Sequence, residues 1–174
     1  MKKVLLLKFG ELFLKGKNKK DFENLLVGNI RKKLADFSFK LAFPMGRIVI
    51  SDYDEFEEDL IVKRLTTVFG LIGVSKATEL KADKDEIFNF VSTIKISGTF
   101  RVNAKRADKK FPLSSMELER ELGAVILENN KEAEVDLHNP KYHVNVEVRF
   151  NGLAYVYYET IKCAGGLPLG SAGK

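Results

Sequence analysis

Hydrophobic period switches repeatedly along the first eighty residues, and the order of those switches constrains the fold more than any single motif. Val4 to Phe9, apolar but for Lys8, is of strand length and reads as a strand. Phe22, Leu25, Leu26, Ile30 and Leu34 then recur at helical spacing and predict a helix from about Asn18 to Ala35. Phe37, Phe39, Leu41 and Phe43 alternate as a strand, Pro44 to Gly46 turns, and Ile48 to Ile50 returns. An acidic helix from about Asp54 to Thr67 follows, with Phe56, Leu60 and Leu65 expected inward, and Val74 to Leu80 closes the series as a strand.

That order, βαββαβ, is the ferredoxin-like arrangement, in which helices cover one face of an antiparallel sheet. The first domain is therefore expected over residues 1–77. The second half opens with a helix from Asp83 to Ile94, then a basic strand near residue 101 and a helix from Ser115 to Glu128. Three strands near 134–138, 143–150 and 153–159 follow, the last two joined by a turn at Asn151 and Gly152. Val144, Val146 and Val148 are expected inward, with Asn145, Glu147 and Arg149 outward. The fold class is α+β, with an α/β second domain over 78–163 that does not repeat the first. Residues 164–174, rich in Gly, have neither period and are expected to be a linker.

The basic strand carries the strongest functional signal. Phe100, Val102 and Ala104 alternate with Arg101, Asn103 and Lys105, so an apolar face is opposed by one suited to phosphate. Arg106, Lys109 and Lys110 follow, and between 101 and 110 five bases oppose one acid, Asp108. Directly afterwards Ser114 and Glu117 have capping-box spacing, with Leu113 and Leu118 placed as a hydrophobic staple. A helix start presents free backbone N–H groups and a partial positive charge, and here it follows two lysines. Glu117 and Glu119 oppose an anion there, and capping alone accounts for Ser114 and Ser115. A solvated charged face accounts for the strand equally well.

Net charge is +5, yet residues 52 to 59 hold six acids and no base, so the rest of the chain carries +11. Clustered cations favour a polyanion, because binding it releases counterions. A second basic loop, with Lys15, Lys17, Lys19 and Lys20 around Gly16, precedes the first helix and repeats the loop-plus-helix-start geometry. With 45% hydrophobic residues the 174-residue chain can fill two small cores. No apolar run approaches the roughly 20 residues that span a bilayer, Lys2 to Lys8 is too short for a signal peptide, and the single Cys163 excludes an internal disulfide. A cytoplasmic protein with no membrane contact is expected.

Catalytic constellations are scarce. His138 and His143 near Asp136 are the only metal-like set, with neither a second cysteine nor a helical His pair, so no metal site is expected. The tail imitates a phosphate loop, but Pro168 stands where glycine is needed. Cys163 has no base beside it in sequence. No catalytic residue and no cofactor are expected in this chain.

Several of these segments together resemble the N-terminal half of the tRNA 4-thiouridine synthetase, or tRNA sulfurtransferase, family: Lys8 to Asn18, Lys105 to Pro112, Met116 and Glu117, Val135 to Pro140, and Ala164 to Gly170. The resemblance spans nearly the whole chain. It implies a ferredoxin-like domain, a THUMP RNA-binding domain, and beyond Lys174 an ATP-pyrophosphatase domain that binds ATP and Mg²⁺ and carries the catalytic cysteine. It further implies formation of 4-thiouridine near tRNA position 8, persulfide sulfur from a cysteine desulfurase, sulfur supply for the thiamine thiazole, and a homodimer. On that basis the chain docks the tRNA acceptor stem and 3′ end by shape and backbone.

The residues expected to contact RNA are Arg101, Lys105, Arg106, Lys109 and Lys110 on the backbone, with Ser114, Ser115 and Asn139 near the RNA end. Lys15, Lys17 and Lys19 form a second zone, and Phe111 either stacks on a base or packs. Two alternatives stand beside this reading. One is the THUMP-type half of another RNA-modifying enzyme such as a methyltransferase, against which the tail argues. The other is a protein-interaction module whose lysines serve solubility.

Overall fold

The computed structural model describes residues 2–10, 19–43, 47–158 and 161–163. The Pro44–Gly46 turn, Lys15, Lys17 and the tail from Ala164 lie outside the described residues, as does the Lys19 side chain. The chain divides into two units, built on residues 4–75 and 76–159.

In the first unit the order is β1 (Lys2–Phe9), α1 (Lys19–Lys33), β2 (Lys40–Ala42), β3 (Ile48–Ser51), α2 (Glu58–Leu65) and β4 (Leu71–Lys81). The strands lie in the order β2-β3-β1-β4, and β3 runs antiparallel to both β1 and β2 in a register that sets Leu6 opposite Val49 and Leu41 opposite Ile50. Leu5, Leu7 and Phe9 of β1 pack with Phe22, Leu26, Ile30 and Leu34 along one stripe of α1. This is the βαββαβ order that the period switches predict.

One face was misread. Ile61, Val62 and Leu65 are the buried positions of α2, whereas Phe56 is 99% exposed and Leu60 also faces solvent. Leu60 and Leu65 are five positions apart and cannot share a helix face; for Phe56 the physical reason lies in the helix start, where Glu55–Glu57 form a 3₁₀ turn, capped by Asp54 Oδ1 accepting from the Phe56 amide at 2.9 Å. A turn of three residues rather than 3.6 shifts the phase of everything before Glu58. The β2 strand is likewise shorter than the alternation from Phe37 to Phe43 implies. A short strand, β9 (Ile161–Lys162), runs antiparallel to β4, with Lys162 opposite Gly73 and Ile161 opposite Val74. The fading pattern after Thr160 did not announce it.

The second unit takes the C-terminal part of β4 and continues with α3 (Lys84–Ser92), β5 (Gly98–Arg106), α4 (Ser115–Asn129), β6 (Ala133–Val135), β7 (Tyr142–Val148) and β8 (Leu153–Tyr157). Strand order is β4-β8-β7-β5-β6, antiparallel as far as β7 and parallel from β7 to β6. Phe100, Val102 and Ala104 of β5 join Leu118, Leu122 and Ile126 of α4 and Val144, Val146 and Val148 of β7 in one core. Asn130, buried just past α4, knits the elements together. Its Oδ1 accepts from the Ile96 amide at 2.8 Å, and its Nδ2 donates to the Ile94 and Ile126 carbonyls at 2.9 Å each.

The hairpin between β7 and β8 closes through Arg149 N–H to the Leu153 carbonyl at 2.9 Å, with Gly152 at φ +77°. The loop is thus three residues long with glycine in the left-handed position, not a two-residue turn. Glu147 shares the face of Asn145 as predicted but is only 4% exposed; the Tyr157 hydroxyl donates to its Oε2, and Arg149 lies 3.8 Å from its Oε1. A buried carboxylate is tolerated where donors meet it.

Candidate nucleic-acid interface

Strand β5 sets the geometry. Arg101, Asn103 and Lys105 point away from α4, and β7 pairs with them in parallel register, placing His143, Asn145 and Glu147 opposite them on the same face.

At the C-terminal end of β5 the chain builds a compact basic turn. Arg106 Nη1 donates to the Phe111 carbonyl at 3.2 Å and to that of Leu113 at 3.4 Å, so its guanidinium closes the loop from Ala107 to Leu113. Asp108 shapes the loop, its Oδ1 accepting from the Lys110 amide at 2.9 Å. Phe111 and Leu113 are buried, which settles the Phe111 alternative in favour of packing. Lys105, Lys109 and Lys110 are left exposed, and their ammonium groups have no partner among the described residues.

The α4 start adjoins this turn. Ser114 Oγ accepts from the Glu117 amide at 3.2 Å, and Glu117 Oε1 accepts from the Ser114 amide at 3.1 Å, completing the predicted box. These bonds from Ser114, with smaller help from Arg120 and Arg106, hold the Glu117 carboxyl below its ordinary range. Ser114 is thus engaged in capping, while the Ser115 and Met116 amides meet no acceptor among the described residues. Arg106, Ser114 and Ser115 thus adjoin the turn that carries Lys109 and Lys110, while Lys105 lies at the same end of β5 on the face turned away from α4.

Arg101 and Asn139 lie at the other end, about 16 Å away for five residues of strand. Here the topology is unusual. Strands β6 and β7 flank β5 on opposite sides and both run parallel to it, so the connection from Asp136 to Lys141 must cross β5. Arg101 Nη1 donates to the Leu137 carbonyl at 2.9 Å, which fixes the crossing on the face opposite α4. The Arg101 Nε is buried and without an acceptor. Asp136 Oδ1 accepts from the amides of His138 at 2.9 Å and Asn139 at 3.1 Å, and these donors hold its carboxyl below the ordinary range. His138 and Asn139 stand exposed at the tip.

Arg101 thus serves the crossover, and Arg106 serves its loop, besides carrying positive charge. Asp108 and Asp136 have a turn-shaping role that counting them as charges did not show. Their signal is an Asp whose side chain can reach an amide two residues on, the Asx turn. Among the described residues no three His, Cys, Asp or Glu side chains group to hold a metal ion, and no helix is long and apolar enough to cross a membrane.

Residues 4–75 match the family model described as the ThiI ferredoxin-like domain, and residues 81–159 match the THUMP domain. A probable tRNA sulfurtransferase of Caldanaerobacter subterraneus subsp. tengcongensis is 45% identical over 178 residues, which cover 100% of this chain and 46% of that relative. A probable tRNA sulfurtransferase of Clostridium acetobutylicum is 43% identical over 178 residues, with 45% of its length covered. The chain thus spans about half the length of the curated relatives it matches. Among solved structures, a 4-thiouridine synthetase in complex with RNA and bound ATP superposes with a TM-score of 0.82 at 32% identity, over 99% of this chain and 45% of that one. A Pyrococcus horikoshii protein gives 0.84 at 32% identity, over 98% and 58%. TrmN from Thermus thermophilus, at 19% identity and a TM-score of 0.61, shares the fold.

Proposed function

We propose that this chain, which belongs to the tRNA sulfurtransferase family as its ThiI ferredoxin-like and THUMP domains, docks tRNA by its acceptor stem and 3′ end. The observation that carries the reading is that the exposed Lys109 and Lys110 sit on the turn leading into the open amides of Ser115 and Met116, with Lys105 exposed at the same end of β5. Cations there contact phosphates, and a helix start accepts an anion even though Glu117 is close by. Nothing in that arrangement reads base edges in a duplex, so recognition rests on backbone shape and on the single-stranded end.

The parent enzyme, in this reading, activates a uridine near position 8 with ATP, accepts persulfide sulfur from a cysteine desulfurase, also supplies thiazole sulfur, and works as a cytoplasmic homodimer. ATP and Mg²⁺ are assigned to the part of the relatives that this chain does not match. The described residues fit neither group: they include no phosphate-binding glycine loop, and no three His, Cys, Asp or Glu side chains are gathered for a metal.

The test is binding of the chain to a tRNA and to an acceptor-stem minihelix, with and without its single-stranded 3′ end, over a salt series. Affinity that drops when the 3′ end is removed, and drops again in Lys105→Glu/Lys109→Glu, is the expected result. Binding indifferent to both changes would return the chain to the class of protein-interaction modules.

A further inference from the structure

The first unit holds a cleft that the docking surface on β5 does not use. It lies between the last turns of α1 and the segment that leaves α2, has a volume of about 290 Å³, and is lined by Asn29, Lys32, Lys33, Thr67, Val68 and Phe69. Among the described residues no carboxylate lines it. Phe69 is 48% exposed at its wall, an aromatic ring left open to solvent beside two exposed ammonium groups. The Asn29 Nδ2 is buried with no acceptor, a cost that folding normally avoids.

The walls are fixed. Arg64 of α2 donates to the Lys33 carbonyl at 3.3 Å, pairs with the Asp36 carboxylate, and lays its guanidinium 4.7 Å from the centre of the Phe37 ring. Thr67 Oγ1 donates to the Arg64 carbonyl at 2.7 Å. The end of α1 and the end of α2 are thereby pinned, so a ligand would enter a preformed space. The cleft shares Asn29 and Lys32 with a wider groove that runs back along α1 past Gly28 and Asn24 to Asp21.

A flat ring, two cations and an amide in want of an acceptor match a base and its phosphate. The volume sits at the lower end of the roughly 300–1,000 Å³ range of small-molecule sites, and the groove gives a polymer somewhere to continue. We propose that this cleft holds one unstacked nucleotide of single-stranded RNA, its base on Phe69, its phosphate between Lys32 and Lys33, and an oxygen toward Asn29. The inference rests on the RNA-docking reading but names a separate site, on the other unit of the chain.

The experiment uses the full chain labelled with ¹⁵N and follows the amides of Lys32, Lys33, Thr67 and Phe69 during titration with pentauridylate, uridine 5′-monophosphate, inorganic phosphate and a pentaglutamate peptide. Pentauridylate should move all four, and the mononucleotide should move the same amides more weakly. Phe69→Ala should weaken pentauridylate by about tenfold, with Phe69→Tyr restoring it, and Lys32→Glu/Lys33→Glu should act similarly with a shallower salt dependence. Amides unmoved by pentauridylate, while tRNA still binds through Lys105 and Lys109, would sink the cleft and leave the docking reading standing. Phosphate or pentaglutamate acting as strongly as pentauridylate would also overturn it, since neither needs the ring. Pentauridylate in the cleft without any effect of Lys105→Glu/Lys109→Glu on tRNA would keep the cleft and remove the β5 surface.

Discussion

Arg101 Nη1 donates to the Leu137 carbonyl at 2.9 Å, so one guanidinium holds the chain where it crosses strand β5. A hydrogen bond from a charged donor is worth about 1.5–3 kcal/mol, and the planar guanidinium is pre-organised for it where a flexible lysine stem is not. Arg101→Lys keeps the charge and loses the bond. Amide exchange at His138 and Asn139 should therefore accelerate by tenfold or more, and RNA affinity should fall as far in Arg101→Lys as in Arg101→Met. Wild-type affinity in Arg101→Lys alone would show that charge, not the tether, is what RNA senses.

The two kinds of base after the strand should separate in a paired measurement. Lys109 and Lys110 project from a turn whose shape Asp108 sets, and nothing in the fold leans on their ammonium groups. Lys109→Glu/Lys110→Glu should leave unfolding free energy within about 0.5 kcal/mol. In the same variant the slope of log affinity against log salt should shrink by about 1.4 to 1.8. Arg106→Glu breaks the bonds to the Phe111 and Leu113 carbonyls, so both stability and RNA binding should drop. Equal stability loss in the two variants would refute the distinction.

How far the sequence foretold this follows from which interactions are local. Capping at Ser114 and the alternation from Phe100 to Lys105 each depend on residues within a few positions, and both stand as read. The reading of α2 failed at Phe56 because a 3₁₀ turn precedes the helix, and at Leu60 because Leu60 and Leu65, five positions apart, cannot share one helix face. Alternation put Glu147 on the right face but could not show that Tyr157 and Arg149 would enclose it. The crossing over β5 was invisible for a deeper reason. It exists only because β6 and β7 choose opposite sides of one strand, a pairing between segments some thirty to forty residues distant from β5. Hence the sequence showed the charge of Arg101 but not its bond to the Leu137 carbonyl.

The start of α4 ties stability to pH. Bonds from Ser114 hold the Glu117 carboxyl below its ordinary range, so the ionised form is favoured in the folded chain. A lowered folded value means that stabilisation is complete above the unfolded value and is lost as pH falls through the folded one. Ser114→Ala removes the cap, costing about 1 kcal/mol at neutral pH, and should flatten the loss on acidification from pH 4.5 downward. Glu117→Gln keeps the reciprocal bond but removes a negative charge beside the open amides, so tRNA affinity should rise about twofold at low salt. A fall in affinity would mean that the α4 start does not face phosphate.

Asn130 is the sharpest test of what holds the second unit together. Three bonds radiate from one buried amide, to Ile96, Ile94 and Ile126, joining the end of α3, the approach to β5 and the end of α4. Asn130→Ala leaves the Ile96 N–H without its acceptor and two carbonyls without this donor, so a loss of about 2–4 kcal/mol in urea unfolding is expected. Asn130→Asp keeps the acceptor for Ile96 but sets a buried carboxylate against the Ile94 and Ile126 carbonyls, and should be at least as damaging at pH 7. Its deficit should shrink as pH falls, because protonation restores one donor, whereas that of Asn130→Ala should not recover. Parallel pH profiles for the two variants would mean that the carboxyl introduced by Asn130→Asp regains no donor on protonation, and that the lost donors do not set the cost.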